Sequence, residues 1–419
     1  MMWSFRLTLI ALLIAAPSGA QSVDLIEERL TDVRSGFFEL GPFYATPVVR
    51  FTGGYDSNAL STPEAQSDIA ALLGPGIRLA LPMGSNAFFD MFQEVDFVYY
   101  KDNVDLRRIF DITRLGGGWG GRRFLLQINN EFRDETRRPT TEFDSPVEMR
   151  TNEFDASMTI ALGWRHQLSA RYDQTRSKIE KTLIDDGAIL DRLNYVRDSV
   201  SMDFSRRVSA KTNAVTQVFY EKLSIDDPTR DSDSYGMRAG FDFSPTLSSG
   251  SIVPSSPSAG LSGQLLVGFR RLIPVDVNRV EYAGLIGSVD AMYVSSDGHR
   301  LAGIFSRDAV TSILGENSYF IEQRFGGSFS WQLHRRFSIE PGIMRGKNDY
   351  PLPRLLTVDG DVIEQEIVDE HISYRLSFTY GIRPGLDVGV TTEYLDRRSN
   401  VLLFEKNRLM VNFFMTLAP

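Results

Sequence analysis

The chain has 419 residues, 42% of them hydrophobic and 24% charged, with a formal net charge of −9 at pH 7 and no cysteine. That balance excludes nucleic acid as a partner, and the missing cysteines exclude disulfide staples and thiol chemistry. Beyond the N-terminal leader no run approaches the roughly 20 apolar residues of a membrane helix, yet a transmembrane β-barrel has the same composition, because only every second strand residue meets lipid.

Residues 1–6 carry one positive charge, residues 7–16 form an apolar run, and the small residues Ser18 and Ala20 precede Gln21. This is the pattern of a secretory signal peptide over residues 1–20, since its apolar core is too short to span a bilayer. Residues 21–40 are expected to be a short periplasmic segment, and residues 41–419 an outer-membrane barrel. Within the segment, Val23 to Leu30 is an amphipathic stretch that either forms a periplasmic helix or folds into a pore mouth.

From near Phe43 onward, apolar and polar residues alternate in segment after segment. Phe154, Ala156, Met158, Ile160, Leu162 and Trp164 alternate with Asp155, Ser157, Thr159, Ala161, Gly163 and Arg165. Tyr235, Met237, Ala239, Phe241 and Phe243 alternate with Gly236, Arg238, Gly240, Asp242 and Ser244, and the pattern returns over residues 328–333 and 373–382. Period two places each set on one face of a strand. About eighteen such segments, ending at Leu417, predict an all-β, antiparallel up-and-down transmembrane barrel. Aromatic residues cluster near strand ends, as in the interfacial girdles of membrane barrels.

The connections sort by length. Short turns are expected at residues 82–87, 116–123, 165–167, 206–212, 296–299, 334–336 and 383–385, with the glycine run Gly116 to Gly121 as a turn. Long loops are expected between them, at 57–67, 133–150, 176–194, 223–234 and 345–369. Short turns belong on the periplasmic side if the N-terminus is periplasmic. The loops at 133–150 and 352–369 carry many acids and are expected to fold inward as constrictions. Residues 244–260, rich in Ser, Pro and Gly, break the rule on the short side and read as a flexible loop.

Charged side chains are costly against lipid, so alternation assigns them to the lumen. The inward set is Arg50, Arg78, Asp90, Glu94, Asp96, Asp155, Arg165, Arg171, Asp203, Arg238, Asp242, Arg270, Asp290, Glu340, Arg375 and Glu393. Ion pairs across a wet wall are one role for them. A polar track for a hydrated chain is another, with arginine forks gripping sugar carboxylates and opposed acids keeping the grip reversible.

Catalytic chemistry is nearly absent. His166, His299, His334 and His371 have no metal-ligand spacing, and the glycine run lacks the Lys-Ser/Thr of a phosphate loop. Neither an enzyme, nor a metal, nor a cofactor is expected.

Four motifs carry a resemblance: Phe51-Thr52-Gly53-Gly54-Tyr55-Asp56-Ser57-Asn58-Ala59, Arg230-Asp231-Ser232-Asp233-Ser234-Tyr235-Gly236-Met237-Arg238-Ala239-Gly240, Gly268-Phe269-Arg270-Arg271-Leu272 and Tyr394-Leu395-Asp396-Arg397-Arg398-Ser399-Asn400. With them the chain resembles the outer-membrane barrels of the beta-barrel porin 2 type. The resemblance implies a porin whose relatives are often linked to exopolysaccharide export. A secreted polysaccharide chain and periplasmic export proteins are then the expected partners besides outer-membrane lipid. A general diffusion porin for small solutes, or a closed structural barrel, is the alternative. The ending Leu417-Ala418-Pro419 departs from the aromatic terminus of many such proteins, with Phe413 and Phe414 close by.

Overall fold

Strands of period two can bury their backbone in lipid only by closing on themselves, because an open edge leaves unpaired N–H and C=O groups. The computed structural model describes Ile26, Leu30, Val33, Arg34 and residues 37–417, apart from 63, 139, 141, 143–145, 183–192, 244–259, 315–316, 335, 359–360 and 402–403. The leader and the loop at 244–259 lie outside the described residues.

The strands are β1 (Phe38–Leu40), β2 (Phe43–Asp56), β3 (Asp68–Met83), β4 (Ala87–Tyr100), β5 (Arg108–Gly120), β6 (Phe124–Arg137) and β7 (Val147–Ala161). There follow β8 (His166–Thr182), β9 (Tyr195–Ser209), β10 (Thr212–Ile225), β11 (Ser232–Phe243), β12 (Gly260–Pro274), β13 (Tyr282–Val294) and β14 (Arg300–Thr311). The last are β15 (Tyr319–His334), β16 (Phe337–Asp349), β17 (Arg354–Val358), β18 (Asp361–Gln365), β19 (Asp369–Arg383), β20 (Leu386–Ser399) and β21 (Lys406–Leu417).

Eighteen of these form a closed antiparallel barrel, as the alternation predicts. Each is paired with its neighbour in sequence, the β17–β18 hairpin standing apart, and β2 pairs with β21 to close the ring. That seam runs from Val49↔Leu417 to Asp56↔Met410; below it the short β1 pairs with Phe43 to Ala45 and continues the edge that β21 leaves. Gly41 makes the tight β1–β2 turn with φ +63, a conformation that costs glycine little. On the outer face stand exposed apolar side chains such as Tyr55, Ile77, Phe97, Trp119, Met202, Phe269, Phe325 and Tyr374. Water would penalise such a wall; hydrocarbon does not.

Several boundaries differ from the sequence expectation. Gly116 to Gly120 are strand residues of β5, and only residues 121–123 turn. The glycines are needed for closeness: a Cβ on Gly118 would stand 2.5 Å from the Phe88 ring. Strands also run further into the expected loops. β6 reaches Arg137, β8 reaches Thr182, β10 reaches Ile225 and β16 reaches Asp349, because an unpaired extension of one strand costs more than pairing it with its equally polar neighbour. The loop at 350–368 holds the separate hairpin β17–β18.

At the turn end, Ile26, Leu30 and Val33 are helical and only 3%, 4% and 3% exposed. Their spacing of four and three residues puts them on one helix face. That face packs on Ala80, Phe88 and Leu125, with Tyr44 and Ala161 beside them. All five partners are on the inner face of β2 to β7, so Ile26, Leu30 and Val33 sit inside the mouth of the barrel.

Candidate functional site: the lumenal wall and its two mouths

Register decides which side chains share the lumen, since residues opposite one another across a ladder point to the same face. Arg50 on β2 donates to Glu94 at 2.6 Å and to Asp96 at 2.8 Å, both on β4, bridging over Gly74 and Gly76 of β3. A Cβ at Gly74 would lie 2.2 Å from Asp96 Oδ1, so glycine there makes room for the pair. Arg78 binds Asp90 at 2.6 Å. Arg171 faces Asp155 at 3.4 Å. Across the barrel, Arg238 binds Asp308 at 2.8 Å, and Arg270 joins Glu221 at 2.7 Å, Asp308 at 3.3 Å and Ser234 Oγ at 3.0 Å.

The remaining predicted residues stand differently. Arg375 donates to Ser377 Oγ at 3.3 Å and lies opposite Glu393 in register, without an ion pair to it. Asp203, Asp242, Asp290 and Glu340 share the inner face by register and make no ion pair among the described residues. Arg165 is a correction: it lies in the turn between β7 and β8 rather than on a strand, its guanidinium 3.8 Å over the ring of Trp164. A cation over an aromatic face at an exposed site gains about 0.5–1 kcal/mol.

A cavity of about 600 Å³ opens between these groups. Arg171, Asp173 and Arg197 line one side, Arg238, Arg270 and Asp308 the other, and Thr140 and Ile313 close it toward the loop end. Among the described residues, no group of three or more histidine, aspartate or glutamate side chains is placed to hold a metal ion.

Alternation cannot find the loop-end closure, because its residues lie in loops. Glu142, in the β6–β7 connection, is 0% exposed. Its carboxylate accepts from Ser312 Oγ at 2.7 Å and from the Ile313 N–H at 2.5 Å, on the connection after β14. Arg397 of β20 donates to the Glu142 carbonyl at 3.3 Å while holding Asp369 of β19 at 2.7 Å, both side chains almost wholly buried. Arg230 donates to the carbonyls of Ser312 and Leu314, the latter at 2.5 Å. Asn58 exchanges hydrogen bonds with Thr62, closing the β2–β3 loop. Glu142 is thus held inward and tied across the mouth to the far wall. Burial pushes the Glu142 carboxyl up to about 7, against the lowering effect of its hydrogen bonds.

Three of these tying residues, Asn58, Arg230 and Arg397, stand inside the motifs that carry the family resemblance. Their roles there were legible only as motif membership, not as chemistry.

Over residues 38–417 the chain matches the model of the family described as "Putative beta-barrel porin 2". Among solved structures, it is similar to the outer membrane protein OpdK of Pseudomonas aeruginosa, with 8% identity over 90% of this chain and 98% of that one, TM-score 0.50. It is likewise similar to OccK2 (OpdF) of the same organism, with 9% identity over 91% and 99% of the two chains, TM-score 0.50. At such identities the likeness is one of fold. A comparison with curated proteins found no matching sequence.

Proposed function

The chain belongs to this family, an outer-membrane porin barrel and not an enzyme, and from that premise we propose that it is a passive channel for small, hydrated, charged solutes. The pairing of the lumenal arginines carries the reading. Arg50, Arg78, Arg171, Arg238 and Arg270 each meet a carboxylate at 3.4 Å or less. Such a wall alternates in sign, so it neither traps nor rejects one charge. Arg50 and Arg171 keep about two-fifths of their side chains open to the lumen, and Arg78, Arg238 and Arg270 less. Opposed charges on one wall offer a passing ion or polar solute exchangeable partners. Mouths narrowed at both ends favour small molecules over wide ones.

Changing Arg238, Arg270 and Arg375 together to glutamine is expected to shift ion selectivity toward cations. Glu221 and Asp308 would then lose their ion-pair partners, and Glu393 the cation opposite it in register. Reversal potentials in a salt gradient, with a gel-shift check that the barrel is folded, measure this. Unchanged selectivity would remove these residues from the conducting path.

A second reading, the exit of a secreted polysaccharide, is supported by the same mixed-charge track, because arginine forks can hold sugar carboxylates. It asks more of the molecule: the N-terminal helix and the β6–β7 loop must both leave their mouths. Removing the gene and measuring released polysaccharide separates the two readings. Loss restored by the intact gene supports export, with periplasmic export proteins then expected at the short turns; normal release leaves the small-solute channel.

A further inference from the structure

The barrel wall is notched between β13 and β14. Their ladder runs from Val294↔Arg300 up to Gly287↔Arg307 and stops. Above it, Tyr282 to Ile286 of β13 and Asp308 to Thr311 of β14 have no partner in one another. The outer edges of the same segments stay paired, β13 to β12 as far as Tyr282↔Leu272 and β14 to β15 as far as Thr311↔Tyr319.

The cause is visible in the packing. Gly284 is in register with Arg270, so Tyr282 and Ile286, two residues to either side, belong to the inner face. Ala309 alternates with Phe305 and should face outward, yet it is 3% exposed against Leu272, Tyr282, Ile286 and Tyr319. The upper end of β14 therefore leans behind β13, into the lumen. Hydroxyl groups cap part of the edge this leaves: Tyr282 donates to the Leu285 carbonyl at 2.9 Å, Ser318 to Val280 at 3.1 Å and Tyr319 to Glu281 at 3.4 Å.

Arg307 stands at the foot of the notch, opposite Gly287, on the outer face with Phe305. It makes no hydrogen bond or ion pair among the described residues. Other outward arginines of the loop-end rim are paired, Arg345 with Glu370 at 3.0 Å and Arg271 with Glu281 at 2.8 Å. Toward the turn end the wall is apolar, with Leu301, Phe305 and Phe325 at 56%, 38% and 69% exposure. A lone cation above an apolar wall, beside peptide groups without a ladder partner, matches one kind of neighbour. That neighbour is an outer-leaflet lipid with its anionic head at the rim and its chains toward the midplane.

We propose that the notch between β13 and β14 is a docking site for an anionic lipid, whose phosphate monoester head is held by Arg307 and whose chains lie on Leu301, Phe305 and Phe325. The hydroxyl-capped edge gives the site a fixed position on the barrel, unlike the general attraction of a basic rim.

Native mass spectrometry of the full barrel in a neutral detergent tests this, with dioleoyl phosphatidic acid as the probe. Dioleoyl phosphatidylcholine and inorganic phosphate separate the whole lipid from its chains and from its head. Retention of phosphatidic acid alone is expected, falling about tenfold in Arg307→Gln and unchanged in Arg345→Gln. Equal retention of phosphatidylcholine, binding of inorganic phosphate alone, or equal loss in both variants would overturn the site. A gel-shift assay confirms that each variant is folded, and Arg307→Lys, which keeps the charge, should restore most of the retention.

Discussion

Substituting Ile26, Leu30 and Val33 together with aspartate is expected to raise single-channel conductance several-fold without unfolding the barrel. These three side chains bury their surface on Ala80, Phe88 and Leu125 inside the turn-end mouth. Burying an aliphatic side chain is worth about 1.5–3 kcal/mol, and three carboxylates in the same seat would each need water. The helical segment should leave the mouth, while the closed strand ladder that holds the barrel does not depend on it. Planar-bilayer recordings measure the effect, and a conductance equal to that of the parent would mean the segment does not obstruct the path. Gly118→Val tests the same seat from the wall. Its new Cβ would collide with the Phe88 ring, so a smaller rise in the same direction is expected.

The second large effect is a pH dependence at the other mouth. Glu142 is buried across the opening, and its carboxyl is pushed up to about 7 by that burial. Its titratable and charged neighbours are Asp369, Tyr350 and Arg397. When the loop lifts, the carboxyl returns to its ordinary value of 4.5. The seated state therefore holds the proton more tightly. Seating is favoured in full below pH 4.5 and is progressively lost as pH rises through about 7. The difference is worth roughly 3 kcal/mol, on the order of a hundredfold in the seating equilibrium. Open probability should climb between pH 5 and pH 8 in the parent. Glu142→Gln, neutral at every pH, should keep the mouth closed across that range. An identical pH profile in the variant would show that Glu142 is not the titrating group.

Much of the fold was legible because the bilayer enforces it. Alternation at Phe154 to Ile160 or Tyr235 to Phe243 needs a strand with one wet and one apolar face, and strands in lipid must close. The glycine run of β5 misled because glycine marks turns and close approaches alike. Only the neighbouring Phe88, thirty residues away, distinguishes Gly118 as the second kind. Arg165 misled because alternation was carried four residues past Ala161, to the edge of the turn expected at 165–167.

By itself, then, the sequence determined the solvent, the strand count and the face on which most strand residues stand. These follow from period two and from the cost of charge in hydrocarbon, both of which act residue by residue. Tertiary structure decided which of those residues meet. Arg270 reaches Asp308 across 38 residues, Glu142 reaches Ser312 across 170, and Arg397 reaches the Glu142 carbonyl across 255. It also decided where the wall is incomplete, since the break above Gly287↔Arg307 comes from Ala309 packing behind β13. Partners that far apart in the chain are set by barrel closure and loop packing. Local alternation carries no record of either.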